Sequence, residues 1–123
     1  MACILLVDDS TFGRGIVMKM LQKNGHDIIE ADNGLNALKV LQENSPACII
    51  ADILMPEMDG QKLLMALHGL QRNIPVIILT ADIQEKTKNI CLELGASMVL
   101  HKPPKEKDLL SAIDEVIHKE KSA

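Results

Sequence analysis

The chain has 123 residues, 47% of them hydrophobic, with 13 Lys and Arg against 17 Asp and Glu for a net charge of −4. That is enough apolar content for one domain with its own core, and too acidic for a nucleic-acid binder or a polybasic membrane patch. One Phe and no Trp or Tyr exclude a base-stacking surface and leave an aliphatic core.

The first apolar run, Ala2 to Val7, has strand length and is apolar on both faces, which suits a parallel sheet covered on each side. It ends in Asp8-Asp9. Ser10 or Thr11 can cap the helix that follows, in which Ile16, Val17, Met20 and Leu21 recur at helical spacing and which Gly25 is placed to close. Asp27 to Ala31 reads as a more polar strand near an edge. A turn at Asp32-Asn33-Gly34 leads to a helix carrying Ala37, Leu38 and Leu41, stopped by Asn44-Ser45-Pro46. Ala47 to Asp52 is the third strand. Met58 to Leu70 predicts a helix with Leu63, Leu64, Leu67 and Leu70 inward. Val76 to Thr80 is β-branched and apolar on both sides, a central strand. A helix with Thr87, Ile90, Cys91 and Leu94 on one stripe follows, closed by Gly95. Ser97 to His101 is the fifth strand, broken by Lys102-Pro103-Pro104. The last helix begins near Lys105 and turns Leu109, Ile113, Val116 and Ile117 inward.

Five strands alternating with five helices predict an α/β fold, doubly wound, with a parallel sheet and right-handed crossovers. Cys3, Cys48 and Cys91 each lie in an apolar run and match no metal or redox spacing, so they read as buried, reduced side chains. The four His are scattered without ligand spacing. No apolar segment is long enough to span a bilayer and the first residues lack a basic n-region, so a cytoplasmic location without membrane insertion is expected.

The chemistry lies at the strand ends. Strand one ends at Asp8-Asp9, strand three at Asp52 and strand four at Thr80, and strand five ends just before Lys102. In an open α/β sheet these carboxyl ends share one rim, where ligands bind. Three carboxylates gathered there repel one another, and a divalent cation resolves that repulsion. Oxygen donors without Cys or His favour Mg²⁺, with Mn²⁺ as a substitute, and its open positions suit phosphoryl oxygens. Lys102 offers a point charge and Thr80 a hydrogen bond to such a group. Asp52, followed by a Pro- and Gly-marked loop, is the candidate nucleophile for an aspartyl phosphate. Each residue alone reads more simply, as a turn former, strand-end cap or solvated charge. The weight comes from their joint placement. Asp59 reads as a helix cap and His101 as a sheet-surface side chain.

The segments Leu5-Leu6-Val7-Asp8-Asp9-Ser10, Asp52-Ile53-Leu54-Met55-Pro56-Glu57-Met58-Asp59-Gly60, Leu79-Thr80-Ala81, Gly95-Ala96 and Lys102-Pro103, in this order, resemble the receiver domain of bacterial two-component response regulators of the single-domain chemotaxis type. The resemblance runs from about Ile4 to Ile117. It implies a flavodoxin-like strand order 2-1-3-4-5 and one receiver domain over residues 1–123 with no output domain. Asp52 would take a phosphoryl group from a histidine kinase's phosphohistidine. Asp9, Asp52 and the backbone carbonyl of Leu54 would ligate Mg²⁺, with Asp8 acting through water. Thr80, with Ala81 beside it, would follow the phosphoryl group, and Lys102 would contact its oxygen across a cis bond to Pro103. The output would be a downstream protein bound on the face of helix four, strand five and helix five. The protein would be a signalling phosphoacceptor, not an enzyme with an external substrate. Val99 stands where the family often carries Tyr or Phe, so a Thr–aromatic switch cannot work in its usual form. Leu54 would shield the acyl phosphate and Asp82 would attract or orient water, both tuning its lifetime.

Three other readings compete. One is a phosphorelay intermediate without motor output. An Mg²⁺-dependent aspartyl-phosphate phosphatase usually wants a second carboxylate two residues past the nucleophile, where this chain has Leu54. A flavodoxin-like cofactor binder would need a phosphate loop after strand one, where Asp8-Asp9 would repel phosphate, and ring-sandwiching aromatics.

Overall fold

The alternation of apolar runs and amphipathic stretches becomes ten elements in the computed structural model, which describes residues 2–53, 60–70, 73–81 and 84–122. They are β1 (Cys3–Val7), α1 (Thr11–Lys23), β2 (Asp27–Ala31), α2 (Gly34–Leu41), β3 (Cys48–Asp52), α3 (Gly60–Gly69), β4 (Val76–Thr80), α4 (Glu85–Glu93), β5 (Met98–His101) and α5 (Glu106–Ser122). Among the described residues the five strands form one parallel sheet in the order β2-β1-β3-β4-β5, as expected.

The burial pattern explains why the strand sequences differ. β1, β3 and β4 lie inside the sheet, are covered on both faces and read as unbroken apolar runs. The edge strands β2 and β5 tolerate Asp27, Glu30 and His101, which are exposed. Side chains alternate along each strand. Leu5, Val7, Ile49, Ala51, Val76 and Ile78 pack on one face against α2, α3 and α4 through Ala37, Leu41, Leu63, Leu67 and Cys91. Ile4, Leu6, Cys48, Ile50, Ile77 and Leu79 pack on the other against α1 and α5 through Val17, Leu21, Leu109, Ile113 and Val116.

Local signals mostly act as read. Ser10 is the N-cap of α1, its Oγ accepting from the Gly13 N–H at 3.1 Å. Gly25 and Gly95, at φ of 85° and 111°, take the left-handed conformation that ends α1 and α4. One inward assignment, Leu70, fails, and Ile16, at helical spacing with Val17, Met20 and Leu21, stays outside the buried stripe. Ile16 is 37% exposed, because the buried stripe of α1 is the narrow Val17–Leu21 pair. Leu70 is 62% exposed, because it lies one residue past the end of α3. β1, β3 and β5 each begin one residue later than predicted. The predicted helix start at Met58 and the capping role of Asp59 lie outside the described residues.

Cys48 and Cys91 are fully buried, Cys3 is half-buried, and all three are free. Burial, with Cys3 nearby, pushes the Cys48 thiol up to about 12. Among the described residues no helix is long and apolar enough to cross a membrane.

Candidate functional site

The parallel register brings the strand ends level. Val7 lies beside Ala51, Asp52 beside Leu79, and Thr80 beside His101. The next polar residues therefore emerge together: Asp8 just after β1, Asp52 and Thr80 as the last residues of β3 and β4, and Lys102 just after β5.

At this rim the Lys102 ammonium donates to Asp52 Oδ2 at 2.7 Å and to Asp8 Oδ2 at 2.9 Å. Burial works against its charge. The hydrogen bonds to Asp52 and Asp8, and the charges of both carboxylates, outweigh that and hold the Lys102 pKa above its ordinary value. Asp8 is almost wholly buried, and its second oxygen accepts from the Ser10 N–H at 2.8 Å. Asp9 is exposed at the mouth. One oxygen from each of Asp8, Asp9 and Asp52 lies within 4.8 Å of the others. Among the described residues no thiol or imidazole joins this set, so the donors are those a hard divalent cation prefers, and the residues fit Mg²⁺.

Thr80 is 3% exposed, and its carbonyl accepts from the Lys102 N–H at 2.7 Å, tying the ends of β4 and β5 together. Ala81 follows at the surface. The Lys102–Pro103 peptide bond is cis. Val99 lies opposite Ile78 and packs, half-buried, against the core shared by α2, α3 and α4. His101 is exposed. Leu54 and Asp82 lie outside the described residues.

Two residues of the site escaped the sequence reading. Arg14 Nη1 donates to the Asp8 carbonyl, and Arg14 Nε donates to Glu30 Oε1 at 2.9 Å. An Arg one turn into the helix after a strand is placed to reach back to the strand end. Its partner, sixteen residues on, comes near only through the β1–β2 pairing.

The sequence model of the response regulator receiver domain matches residues 4–114. The chain is 33% identical to the chemotaxis protein CheY of Bacillus subtilis over 116 residues, covering 94% of this chain and 97% of that protein. It is 34% identical to the peroxide stress-activated histidine kinase mak2 of Schizosaccharomyces pombe over 97% of its own length, but spans only 6% of that kinase. Likewise it spans 10% of the sensor histidine kinase RcsC of Escherichia coli, at 36% identity over 81% of this chain. Among solved structures, the receiver domain of the Francisella response regulator 1452 superposes with a TM-score of 0.92 at 28% identity, over 97% of this chain and 98% of that one. The chemotaxis protein CheY4 of Vibrio cholerae gives 0.87 at 31% identity, over 94% and 98%. With sheet order, rim and sequence in agreement, the chain belongs to the response regulator receiver domain family of two-component signalling.

Proposed function

We propose that Asp52 accepts a phosphoryl group from the phosphohistidine of a histidine kinase and that the resulting charge switches a protein-binding surface. The observation that supports this most is the Lys102 ammonium bridging Asp52 and Asp8 at 2.7 and 2.9 Å, with Asp9 beside them. An Asp52 carboxylate oxygen bonds to phosphorus as the P–N bond to the histidine breaks. The nitrogen keeps the bonding pair and takes up a proton. Mg²⁺, or Mn²⁺ in its place, would be held by Asp9, Asp52 and the Leu54 carbonyl, with Asp8 acting through water, and supplies positive charge to the phosphoryl oxygens. The division between the two acids follows their surroundings. Asp8 has both oxygens engaged and is buried, whereas Asp9 is exposed.

Once phosphorylated, Asp52 carries a dianion in place of one carboxylate charge. Lys102 contacts a phosphoryl oxygen, and the Thr80 hydroxyl donates to another, carrying Ala81 with it. The end of β4 is tied to β5 through the Thr80 carbonyl, so the shift reaches the face of α4, β5 and α5, where a downstream protein binds. With Val99 in place of an aromatic, the transmitted change is a small repacking of β4 and β5. Leu54 would shield the acyl phosphate and Asp82 would attract or orient water, both tuning its lifetime.

The test is incubation with acetyl phosphate and Mg²⁺, followed by phosphate-affinity electrophoresis. The parent should shift and Asp52→Asn should not. A shift that persists in Asp52→Asn rejects that nucleophile. A parent that never shifts rejects the phosphoacceptor reading.

A further inference from the structure

We infer that Arg14 is a positioning residue for the cation site: by tying the Asp8 carbonyl to Glu30 on the neighbouring strand, it fixes the peptide that carries Asp9. The inference rests on the cation role proposed for Asp9.

Asp8 is held at every polar group. Its N–H donates to the Ala31 carbonyl at 3.1 Å. Its carboxylate accepts from the Ser10 N–H on one oxygen and from Lys102 on the other. Its carbonyl accepts from Arg14. That carbonyl and the Asp9 N–H belong to one rigid peptide plane, so a hydrogen bond on the carbonyl fixes the orientation from which Asp9 projects. Asp9 is exposed and gains little order from packing, so its direction depends on the backbone beneath it. The guanidinium suits the task because its fork engages two acceptors at once. Its side chain is only 16% exposed, and the Glu30 carboxylate opposite fixes its angle. The turn has little slack elsewhere, since a Cβ at Gly13 would meet both Asp8 Oδ2 and Ser10 Oγ at 3.3 Å.

Charge and position make opposite predictions for Arg14. A cation near three carboxylates competes with a divalent ion, so removing its charge alone strengthens Mg²⁺ binding. Removing an anchor from the Asp8–Asp9 peptide weakens it. A lysine keeps the charge but cannot span the carbonyl and the carboxylate as the fork does.

The experiment is calorimetric titration of Mg²⁺, repeated with Mn²⁺ by paramagnetic resonance, into the parent, Arg14→Ala, Arg14→Lys and Glu30→Gln. Cation-free amide hydrogen exchange is measured on each. Both Arg14 variants should bind about tenfold more weakly, as outer-shell partners of metal ligands typically require. Glu30→Gln, which still accepts from Nε, should stay close to the parent. Exchange should accelerate at Ser10, whose N–H is bonded to the Asp8 carboxylate, in the Arg14 variants and stay unchanged in α5. Arg14→Lys keeps the charge and stem, so it carries the test if Arg14→Ala does not fold. Parental or tighter binding by the Arg14 variants, or unchanged exchange at Ser10, overturns the positioning role alone. A parent that binds neither ion overturns the cation role and this inference with it, and all four proteins then fail alike.

Discussion

Lys102 is the residue on which the rim depends, because its ammonium is the counter-charge between Asp8 and Asp52. Replacing it by Met leaves a buried carboxylate without that partner, at a stability loss of roughly 1–3 kcal/mol in a chelator. The pH dependence has a definite sign. A lysine whose folded pKa is raised contributes stability that is whole below its ordinary value of 10.5 and is lost as pH rises through the higher folded value. Urea unfolding of the parent and Lys102→Met should therefore differ by a constant amount from neutral pH to about 10.5, and by less above it. Cys48, pushed up to about 12, weakens the fold in the same alkaline direction, but it is common to both proteins and cancels in the difference. A gap that shrinks between pH 7 and 9 would count against the Lys102 account. Asp52, Asp9, Asp8, Thr80 and Lys102 could be named from sequence because each closes an apolar run or follows one. Arg14 and Glu30 could not, because neither marks an element end and only strand pairing makes them neighbours.

At the scale of elements, α1 carries the clearest conflict between local propensity and site geometry. Gly13 and Gly15 both lower its helix propensity. A Cβ at Gly15 would meet nothing within 4 Å, so Gly15→Ala should stabilise the protein by about 0.5–1 kcal/mol in urea unfolding. At Gly13 the same change crowds the Asp8 carboxylate and the Ser10 cap, so its gain should be smaller or reversed. Equal gains at the two positions would show that the turn around Asp8 yields freely. Strands β1, β3 and β4 were readable because burial on both faces demands unbroken apolar sequence. Helix faces were readable only in part. Ile16 and Leu70 lie at apolar spacing, yet whether a helical position is covered depends on where the neighbouring element and the helix end fall.

Across the whole molecule, one sheet divides two aliphatic cores, and each core holds one fully buried cysteine. Cys91 lies in the core under α2, α3 and α4, and Cys48 in the core under α1 and α5. Neither thiol should react with iodoacetamide in the native protein, while the half-buried Cys3 should react slowly. Because the same strands floor both cores, Cys48 and Cys91 should become reactive over the same range of urea, followed by mass spectrometry. Labelling of Cys91 at clearly lower urea would mean that the two faces unfold separately.

Periodicity, punctuation and strand-end chemistry together specify an α/β domain with an acidic rim and Asp52 in its midst, because apolar runs and the residues that end them are local facts of the chain. The strand order belonged to a family resemblance until the tertiary structure decided it, and so did the cis bond at Lys102–Pro103. Tertiary structure alone decides that Lys102 reaches Asp8 and Asp52 at once, that Asp8 is buried while Asp9 is exposed, and that Arg14 braces the turn between them through Glu30. The physical reason is separation along the chain. Lys102 lies 94 residues from Asp8 and 50 from Asp52, and only the register of a parallel sheet turns such distances into hydrogen bonds.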